Sequence, residues 1–487
     1  MLSRLVSLSL TLAVAVSAQP APSNIDALIA GGPGSGPVVS TLAKTFAKSI
    51  TEKALYRHLT AFQAAANQGN GTRVFGTPGN DVQLQPFDHL YSIQGPTAST
   101  LTFIGGNDTA PINLRWHFYS PSADITNASL VVLPDTFVQK DNVTLASTGC
   151  NLNDFRGTDV KGKIVLIRRE ADREFPCPME NKTRNAAESG AAAVLLYPAP
   201  PAVTKPSLFE KIPSASLRPA HVERVLTKIN ASSVPLKATL HVDSLNEWRK
   251  TFNIIATSRW GDAKNIIHVG SHIDSVAEGP GLNDNASGSS TILEVALRIA
   301  RYPTRNKLRF SWWNAEEAGL IGAKYYVANL TPREKAATKL YLNFDMTGSP
   351  NFILGVHDGD NSSGGNNPST IPAGSFAIET VFRDYAKSVN QTVIDYALSG
   401  GSDYDPFLRA GIPVGGLATG ASGLKTEENA AIFGGTAGVA HDECYHEACD
   451  TIENVSLKAM TFCTKALAYA AVRFAYGDVF TLTDEVI

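Results

Sequence analysis

The chain has 487 residues, of which 43% are hydrophobic and 18% charged, and its net charge is -3. That length exceeds what one hydrophobic core ordinarily serves, so two folded domains are expected. The near-balance of charge gives no support to nucleic acid or an acidic membrane surface as a partner.

The first residues, "MLSRLVSLSLTLAVAVSAQPAPS", have the form of a secretory signal peptide. Arg4 supplies the basic start, and Leu5 to Val16 form an apolar stretch too short to span a bilayer. Val16-Ser17-Ala18 makes a cleavage site, so residues 1–18 are removed and Gln19 begins the mature chain. No later stretch is long and apolar enough to cross a membrane. The Pro-, Gly-, Ala- and Ser-rich segment that follows reads as a linker or pro-segment over residues 19–45. Its "GGPGSGP" is not a phosphate loop, because no strand precedes it and no Lys-Ser/Thr follows. A helical pattern then runs from about Ser49 to Asn67.

From about Pro111 to Val242 the texture changes. Short apolar runs such as "ASLVVLP", "GKIVLIRR", "AAAVLLY" and "LKATLHV" alternate with turn clusters, which predicts a compact β-rich domain with one or two helices. "NKTRNAAESGAAAVLLY" reads as helix, a turn at Gly190, then strand. From about Asn246 onward strands and helices alternate. "NIIHVGSHID", "KLRFSWWNA", "KLYLNFDMTG" and "GIPVGGLATG" read as strands. "SGSSTILEVALRIARY", "EEAGLIGAKYYVANL" and "GSFAIETVFRDYAKSVN" read as helices. This alternation predicts an α/β fold, a mainly parallel mixed sheet sandwiched by helices. Sites in such sheets gather at the carboxyl ends of the strands.

Secretion implies oxidised cysteines and glycans. Of the five cysteines, Cys444 and Cys449 are close enough to bridge a tight loop, and Cys150 and Cys177 form the natural second pair. Cys463 lies in an apolar helical pattern and reads as a buried thiol. Acceptor sequons occur at Asn70, Asn107, Asn127, Asn142, Asn181, Asn230, Asn285, Asn329, Asn361, Asn390 and Asn454. So dense a set suits a secreted glycoprotein.

The predicted strand ends carry chemistry. His272 and Asp274 follow "NIIHVG", and Asp284 lies in the Gly-rich loop "GPGLNDNASG". Glu316 and Glu317 follow "LRFSWW", Asp345 follows "KLYLNF", and Tyr445 and His446 lie inside "CYHEAC". A single His or Asp at a strand end is ordinarily hydrogen-bonded structure. A whole series of them is another matter, because buried carboxylates are costly unless paired with charge or metal, and few Lys or Arg lie in these motifs. Ligands of the His/Asp/Glu type without thiolate suit zinc in a hydrolytic site. Adjacent residues at such a junction point in different directions, so one of Glu316 and Glu317 can bind a cation while the other shuttles a proton. A helix N-terminus attracting two acids would be the purely structural explanation of that pair.

"SHIDSVAEGPGLNDNASG", "WNAEEAGLIG", "NFDMTG" and "CYHEACDT" together resemble the motif series of the two-zinc aminopeptidases of metallopeptidase family 28, of the aminopeptidase Y and secreted fungal leucine aminopeptidase type. The likeness runs from about Ile50 to the end. It implies a peptidase domain formed by residues 46–110 and 243–487, with a protease-associated domain inserted at 111–242. It implies that His272 and Asp345 bind one zinc, that Glu317 and His446 bind the other, and that Asp284 bridges them. Asp274 would hydrogen-bond the His272 imidazole. Glu316 would serve as general base and acid, and Tyr445 would donate to the developing oxyanion. The Cys444–Cys449 bridge would stiffen the loop carrying Tyr445 and His446. A cis peptide at Asp284–Asn285 is also implied, which puts the Asn285 sequon inside the site and leaves it without sugar. "NDVQLQPFDHLYSIQGPTAS" departs from the family pattern and looks shortened, which puts one sheet element in doubt. "SGGSDYDPFLRAGIP" resembles a pocket-wall loop, with no catalytic role for Ser402, Asp403 or Tyr404.

The expectation is therefore a secreted, extracellular or vacuolar, monomeric zinc aminopeptidase that holds two zinc ions and acts on peptides with a free N-terminus, without nucleic acid or membrane as partner. Its preferred first residue by resemblance is leucine or another apolar one. A zinc carboxypeptidase needs a cationic clamp for the substrate carboxylate, for which no Arg is an obvious candidate. A peptidase-like binding protein with a dead site should have lost ligands, and all are present. A Gly-x-Ser-x-Gly elbow and an HExxH helix are both missing from the chain.

Overall fold

The structure, a computed structural model, describes residues 36–68, 85–105, 109–117, 119–140, 143–169, 177–197, 211–364 and 371–477. The signal peptide and the sequons at Asn70, Asn107 and Asn142 lie outside the described residues. Two compact units emerge: one from the described parts of 1–87 and 250–487, the other from Asp88–Arg249.

The first unit is built on an eight-stranded sheet, two of whose strands, Gln85–Gln94 and Ser244–Thr257, run past the unit's bounds at Phe87 and Lys250. Its strands are β1 (Gln85–Gln94), β2 (Ser244–Thr257), β3 (Asp262–His272), β4 (Asn306–Trp313), β5 (Thr338–Phe344), β6 (Gly355–His357), β7 (Ile394–Tyr396) and β8 (Val414–Ala418), and their spatial order is 1-2-4-3-5-8-6-7. The segment that departed from the family pattern thus still supplies a strand, β1. The central pairs β4–β3, β3–β5 and β5–β8 are parallel, while β2–β4 and β6–β8 are antiparallel. The central strands turn one apolar face to a common core: Ile267 and Val269, Leu308 and Phe310, Leu340 and Leu342 stand side by side across the sheet and are all buried. Each such side chain contributes about 1.5–3 kcal/mol on leaving water.

Helices α1 (Gly36–Lys48), α2 (Glu52–Gln68), α3 (Gly288–Ile299), α4 (Ser375–Ser388) and α5 (Leu457–Tyr476) cover the sheet. Ile292, Val295 and Ile299 recur at helical spacing on the buried stripe of α3. Small residues on α5, Ala466 and Ala470 among them, share a core with Val39, Ala43 and Ala47 of α1. The segment read as a linker or pro-segment up to residue 45 is helical from Gly36 onward and packs against the C-terminal helix. Cys463 is a free, buried cysteine on α5.

Register sets the functional edge. In the parallel ladders His272 stands opposite Trp313, and Gly270 opposite Asn343. Strands β3, β4 and β5 therefore end at nearly one level, and whatever follows them emerges together.

The second unit has its own core, including Leu101, Phe103, Ile164, Leu166 and Leu195. Seven strands form a closed barrel, in the order Lys237–Val242, Thr100–Phe103, Ile112–Trp116, Ser214–Leu217, Ala193–Tyr197, Ile164–Arg168 and Ala123–Val132. Helices Met179–Glu188 and Pro219–Asn230 accompany it. The predicted helix–turn–strand is there, with Gly190 in the left-handed region at φ +87°. Cys150 and Cys177 are disulfide-bonded.

Candidate metal centre

His272 is the last residue of β3, and Asp284 sits in the turn Leu282–Ser287 that leads into α3. Glu316 and Glu317 follow β4, Asp345 follows β5, and Tyr445 and His446 lie in the loop closed by the Cys444–Cys449 disulfide. Three non-glycine residues at or beside these positions adopt positive φ: Ala315 (56°), Met346 (51°) and His446 (61°). Such backbones cost about 1–3 kcal/mol each and persist where the surroundings enforce them. The helix expected to start at Glu316 begins only at Ile321, after Gly319 and Leu320 at positive φ. The two acids thus stand in a turn ahead of the helix, and the helix-dipole explanation of the pair fails.

The five ligand candidates converge. His272 Nε2 lies 3.2 Å from Asp284 Oδ1 and 3.2 Å from Asp345 Oδ1. His446 Nε2 lies 3.1 Å from Asp284 Oδ2 and 3.1 Å from Glu317 Oε2. Two triads result, His272/Asp284/Asp345 and Asp284/Glu317/His446, each compact enough to grip one ion. They share Asp284, which turns one oxygen to each. Glu316 joins His272 and Glu317 in a third such group.

Electrostatics favours a cation here. Asp284, Glu317 and Asp345 form salt bridges only with His272 and His446 among the described residues. Burial works against protonation of His272, yet Asp345 and Glu316 outweigh it and hold its pKa well above the usual value. His446 is likewise raised against burial, chiefly by Glu317 and Asp284. Burial raises the Glu317 carboxyl despite His446, whereas His272 and His446 hold Asp284 far below the carboxylate range despite burial. His446 Nε2 and Glu317 Oε1 are buried without a hydrogen-bond partner among the described residues. Orphaned donor atoms aimed at common points, all imidazole nitrogen or carboxylate oxygen, are what zinc coordination uses. The residues present therefore fit zinc.

Neighbouring groups hold these ligands. The Asp274 carboxylate accepts the backbone N–H of Glu316 (3.1 Å) and of Glu317 (3.3 Å). It stands 3.6 Å from His272 Nδ1, beyond a hydrogen bond, and the Asp274 carbonyl oxygen accepts from that nitrogen instead, at 3.2 Å. Sequence reasoning foresaw the residue but not this division of labour. It placed Ser402 in a pocket-wall loop without foreseeing its bond to a ligand candidate: its Oγ donates to Asp345 Oδ2 (2.6 Å) while accepting from Asn343 Nδ2 (2.8 Å). No local signal marks that bond, because Ser402 lies 57 positions away from Asp345. Its neighbour Asp403 is buried with neither oxygen hydrogen-bonded among the described residues, and burial together with Glu316 holds its carboxyl well above the usual range.

Tyr445 stacks on the His446 ring with centroids 3.8 Å apart. Burial, reinforced by Asp284 and Glu317, pushes its phenol well above the usual value, so it stays a neutral O–H donor. The Asp284–Asn285 peptide is cis. Asn285 is fully enclosed, its amide donating to Ser271 Oγ and the Phe344 carbonyl. By contrast Asn127, Asn230, Asn329, Asn361 and Asn390 are exposed, and Asn181 is half-buried.

Histidines and carboxylates gathered at the carboxyl edge of a parallel sheet define a metal-dependent hydrolase. Comparison with known proteins sharpens this. Residues 253–471 match peptidase family M28, and residues 127–225 match the PA domain. An aminopeptidase of Pseudomonas aeruginosa is 37% identical over 442 residues, covering 85% of this chain and 79% of the relative. Leucine aminopeptidase 2 of Arthroderma otae is 38% identical over 400 residues, covering 81% and 74%. Among solved structures, the aminopeptidase of Aneurinibacillus sp. strain AM-1 shares the fold with a TM-score of 0.68 at 24% identity, over 89% of this chain and 96% of that one. A zinc aminopeptidase from Bacillus subtilis shares it with a TM-score of 0.60 at 23% identity, over 86% and 94%. The chain therefore belongs to peptidase family M28, as an enzyme of its zinc-dependent aminopeptidase type.

Proposed function

We propose that this enzyme is secreted, holds two zinc ions, and removes the N-terminal residue of peptides, leucine or another apolar one. The observation that carries the reading is Asp284, placed between two histidine–carboxylate triads with one oxygen toward each. His272, Asp284 and Asp345 would hold one ion, and Asp284, Glu317 and His446 the other. When bound, such a pair supplies Lewis acidity that polarises a carbonyl and brings the pKa of a water toward neutrality. Glu316, beside His272 and not needed as a ligand, takes the proton of the attacking water and hands it to the leaving amine. The neutral Tyr445 O–H donates to the oxyanion as charge develops. Asp274 keeps Glu316 and Glu317 apart in their separate tasks by holding both backbones.

A site so rich in carboxylates attracts a substrate ammonium and repels a substrate carboxylate, which favours an aminopeptidase over a carboxypeptidase. The leucine preference is supported by relatives named leucine aminopeptidase 2. Secretion is supported by the leader sequence and by two formed disulfides.

The test is a chromogenic panel of free-amine and N-acetylated amino acids, run with chelator and with zinc restored. The expected result is hydrolysis of free-amine chromogenic derivatives of leucine and other apolar residues only, lost with chelator and regained with zinc at two equivalents per chain. Cleavage of acetylated substrates at equal rate, or full activity in chelator, refutes the proposal.

A further inference from the structure

A second layer of buried acids lies behind the ligands. Asp450, one residue past the disulfide loop, is 1% exposed, and its carboxylate accepts the backbone N–H groups of Asn283 (2.8 Å) and Asp284 (2.9 Å). Its carbonyl oxygen accepts from the Leu282 N–H at 3.0 Å. Asp442, on the other side of the loop, is also 1% exposed. It accepts from Asn283 Nδ2 (2.7 Å) and from the Cys444 N–H (2.8 Å). These two acids thus fasten the backbone of the shared ligand Asp284 to the loop that carries His446. Neither forms a salt bridge among the described residues.

What holds the two acids together is Asn454. Its Nδ2 donates to Asp442 Oδ1 (3.0 Å) and Oδ2 (3.1 Å) and to Asp450 Oδ1 (3.2 Å). An amide nitrogen has two hydrogens, and both are committed, one toward each carboxylate. Yet Asn454-Val455-Ser456 is also a glycan acceptor sequence. An N-linked sugar is joined to that same nitrogen and replaces one of those hydrogens. One carboxylate would lose its donor, and a bulky group would stand between two buried acids.

We propose that Asn454 is a positioning residue for Asp284, acting through Asp442 and Asp450, and that its sequon carries no sugar in the folded enzyme. The inference rests on the two-zinc reading of the site. It reverses the expectation from sequence alone, in which Asn454 was counted with the sequons that carry sugar. Losing the donor leaves two neighbouring buried carboxylates bridged only by Asn283, so the Asp284 backbone loosens and its hold on metal weakens. Outer-layer partners of this kind typically change metal affinity about 10–100-fold.

The experiment uses full-length enzyme secreted from a eukaryotic host. Intact-glycopeptide mapping is expected to find Asn454 bare while exposed sequons such as Asn230 and Asn390 carry sugar. Zinc affinity, measured by competition with a chelator, should fall about tenfold or more in Asn454→Ala and less in Asn454→Ser, which keeps one donor. Ser456→Asp removes the sequon but keeps a helix-capping side chain where Ser456 now accepts from the Ala459 N–H, and should leave zinc affinity unchanged. Sugar on Asn454 in zinc-loaded enzyme overturns the proposal, as does an Asn454→Ala affinity within twofold of the parent. Should Asn454→Ala fail to fold, Asn454→Ser and the glycan map decide. A parent enzyme that takes up no zinc refutes the two-zinc reading instead, and the glycan map still judges Asn454.

Discussion

Replacing Asp274 by Asn separates geometry from charge at the point where both active-site glutamates are held. The Asp274 side chain is fully buried and its two oxygens accept the N–H groups of Glu316 and Glu317 at 3.1 and 3.3 Å. Asn has one acceptor oxygen, so whichever way its amide turns, one N–H faces an NH2 group and loses its partner. An orphaned buried donor costs about 1–3 kcal/mol, and water cannot reach it here to compensate. Because the misplaced backbone bears the ligand Glu317 or the base Glu316, that energy is drawn from zinc binding or from the rate. At about 1.4 kcal/mol per factor of ten, zinc affinity or kcat should fall by about 5- to 150-fold. The assay is chelator competition for zinc alongside kcat on a leucine chromogenic substrate, with thermal unfolding to confirm a folded variant. A folded Asp274→Asn enzyme within twofold of the parent in both quantities refutes the argument that this carboxylate holds the glutamate turn.

Glu316→Gln should retain both zinc equivalents by metal analysis and lose about 10²- to 10⁴-fold in kcat, the usual contribution of a general base. Tyr445→Phe removes one oxyanion donor and should lower kcat by about a hundredfold with KM little changed, as steady-state kinetics will show. A fourth prediction concerns pH and stability away from the site. Burial pushes the Glu294 carboxyl up, but His58 Nε2 at 2.9 Å and Arg298 Nε at 2.5 Å outweigh it and leave its pKa below the ordinary value. A depressed carboxyl stabilises the fold above its unfolded pKa and loses that contribution as pH falls through its folded value. Glu294→Gln should therefore lower stability by about 1.5–3 kcal/mol at pH 7, with the gap closing below about pH 4. Denaturant melts at pH 7 and in mild acid read the difference.

The fold class was legible because strands and helices alternate in the chain with their own periodicities. The ordered motif series pointed to five candidate ligands that the structure brings together: His272, Asp284, Glu317, Asp345 and His446. Local reading was weakest where the chain leaves regular structure. The helix drawn from Glu316 starts five residues later because Gly319 and Leu320 turn the backbone first. Gly- and Pro-rich composition argued for a linker or pro-segment and gave no sign of α1, whose apolar Val39, Ala43 and Ala47 find their partner far along the chain, in α5. Ser402, Asp442, Asp450 and Asn454 bear no mark of their roles, because each is defined by a partner brought close only by folding.

The sequence by itself determined the chemistry of this protein: which side chains can bind a cation, move a proton or form a disulfide, and in what order they occur. Tertiary structure decided which oxygen of Asp284 meets which histidine, that the Asp274 carboxylate holds backbone while its carbonyl oxygen takes the His272 imidazole, and that the sequon amides of Asn285 and Asn454 are bound to groups around the site. The physical reason is that composition and periodicity are properties of neighbours along the chain. Hydrogen bonds and ion pairs act over about 3 Å of space, and only the packed sheet, with its parallel strands in register, converts the one kind of nearness into the other.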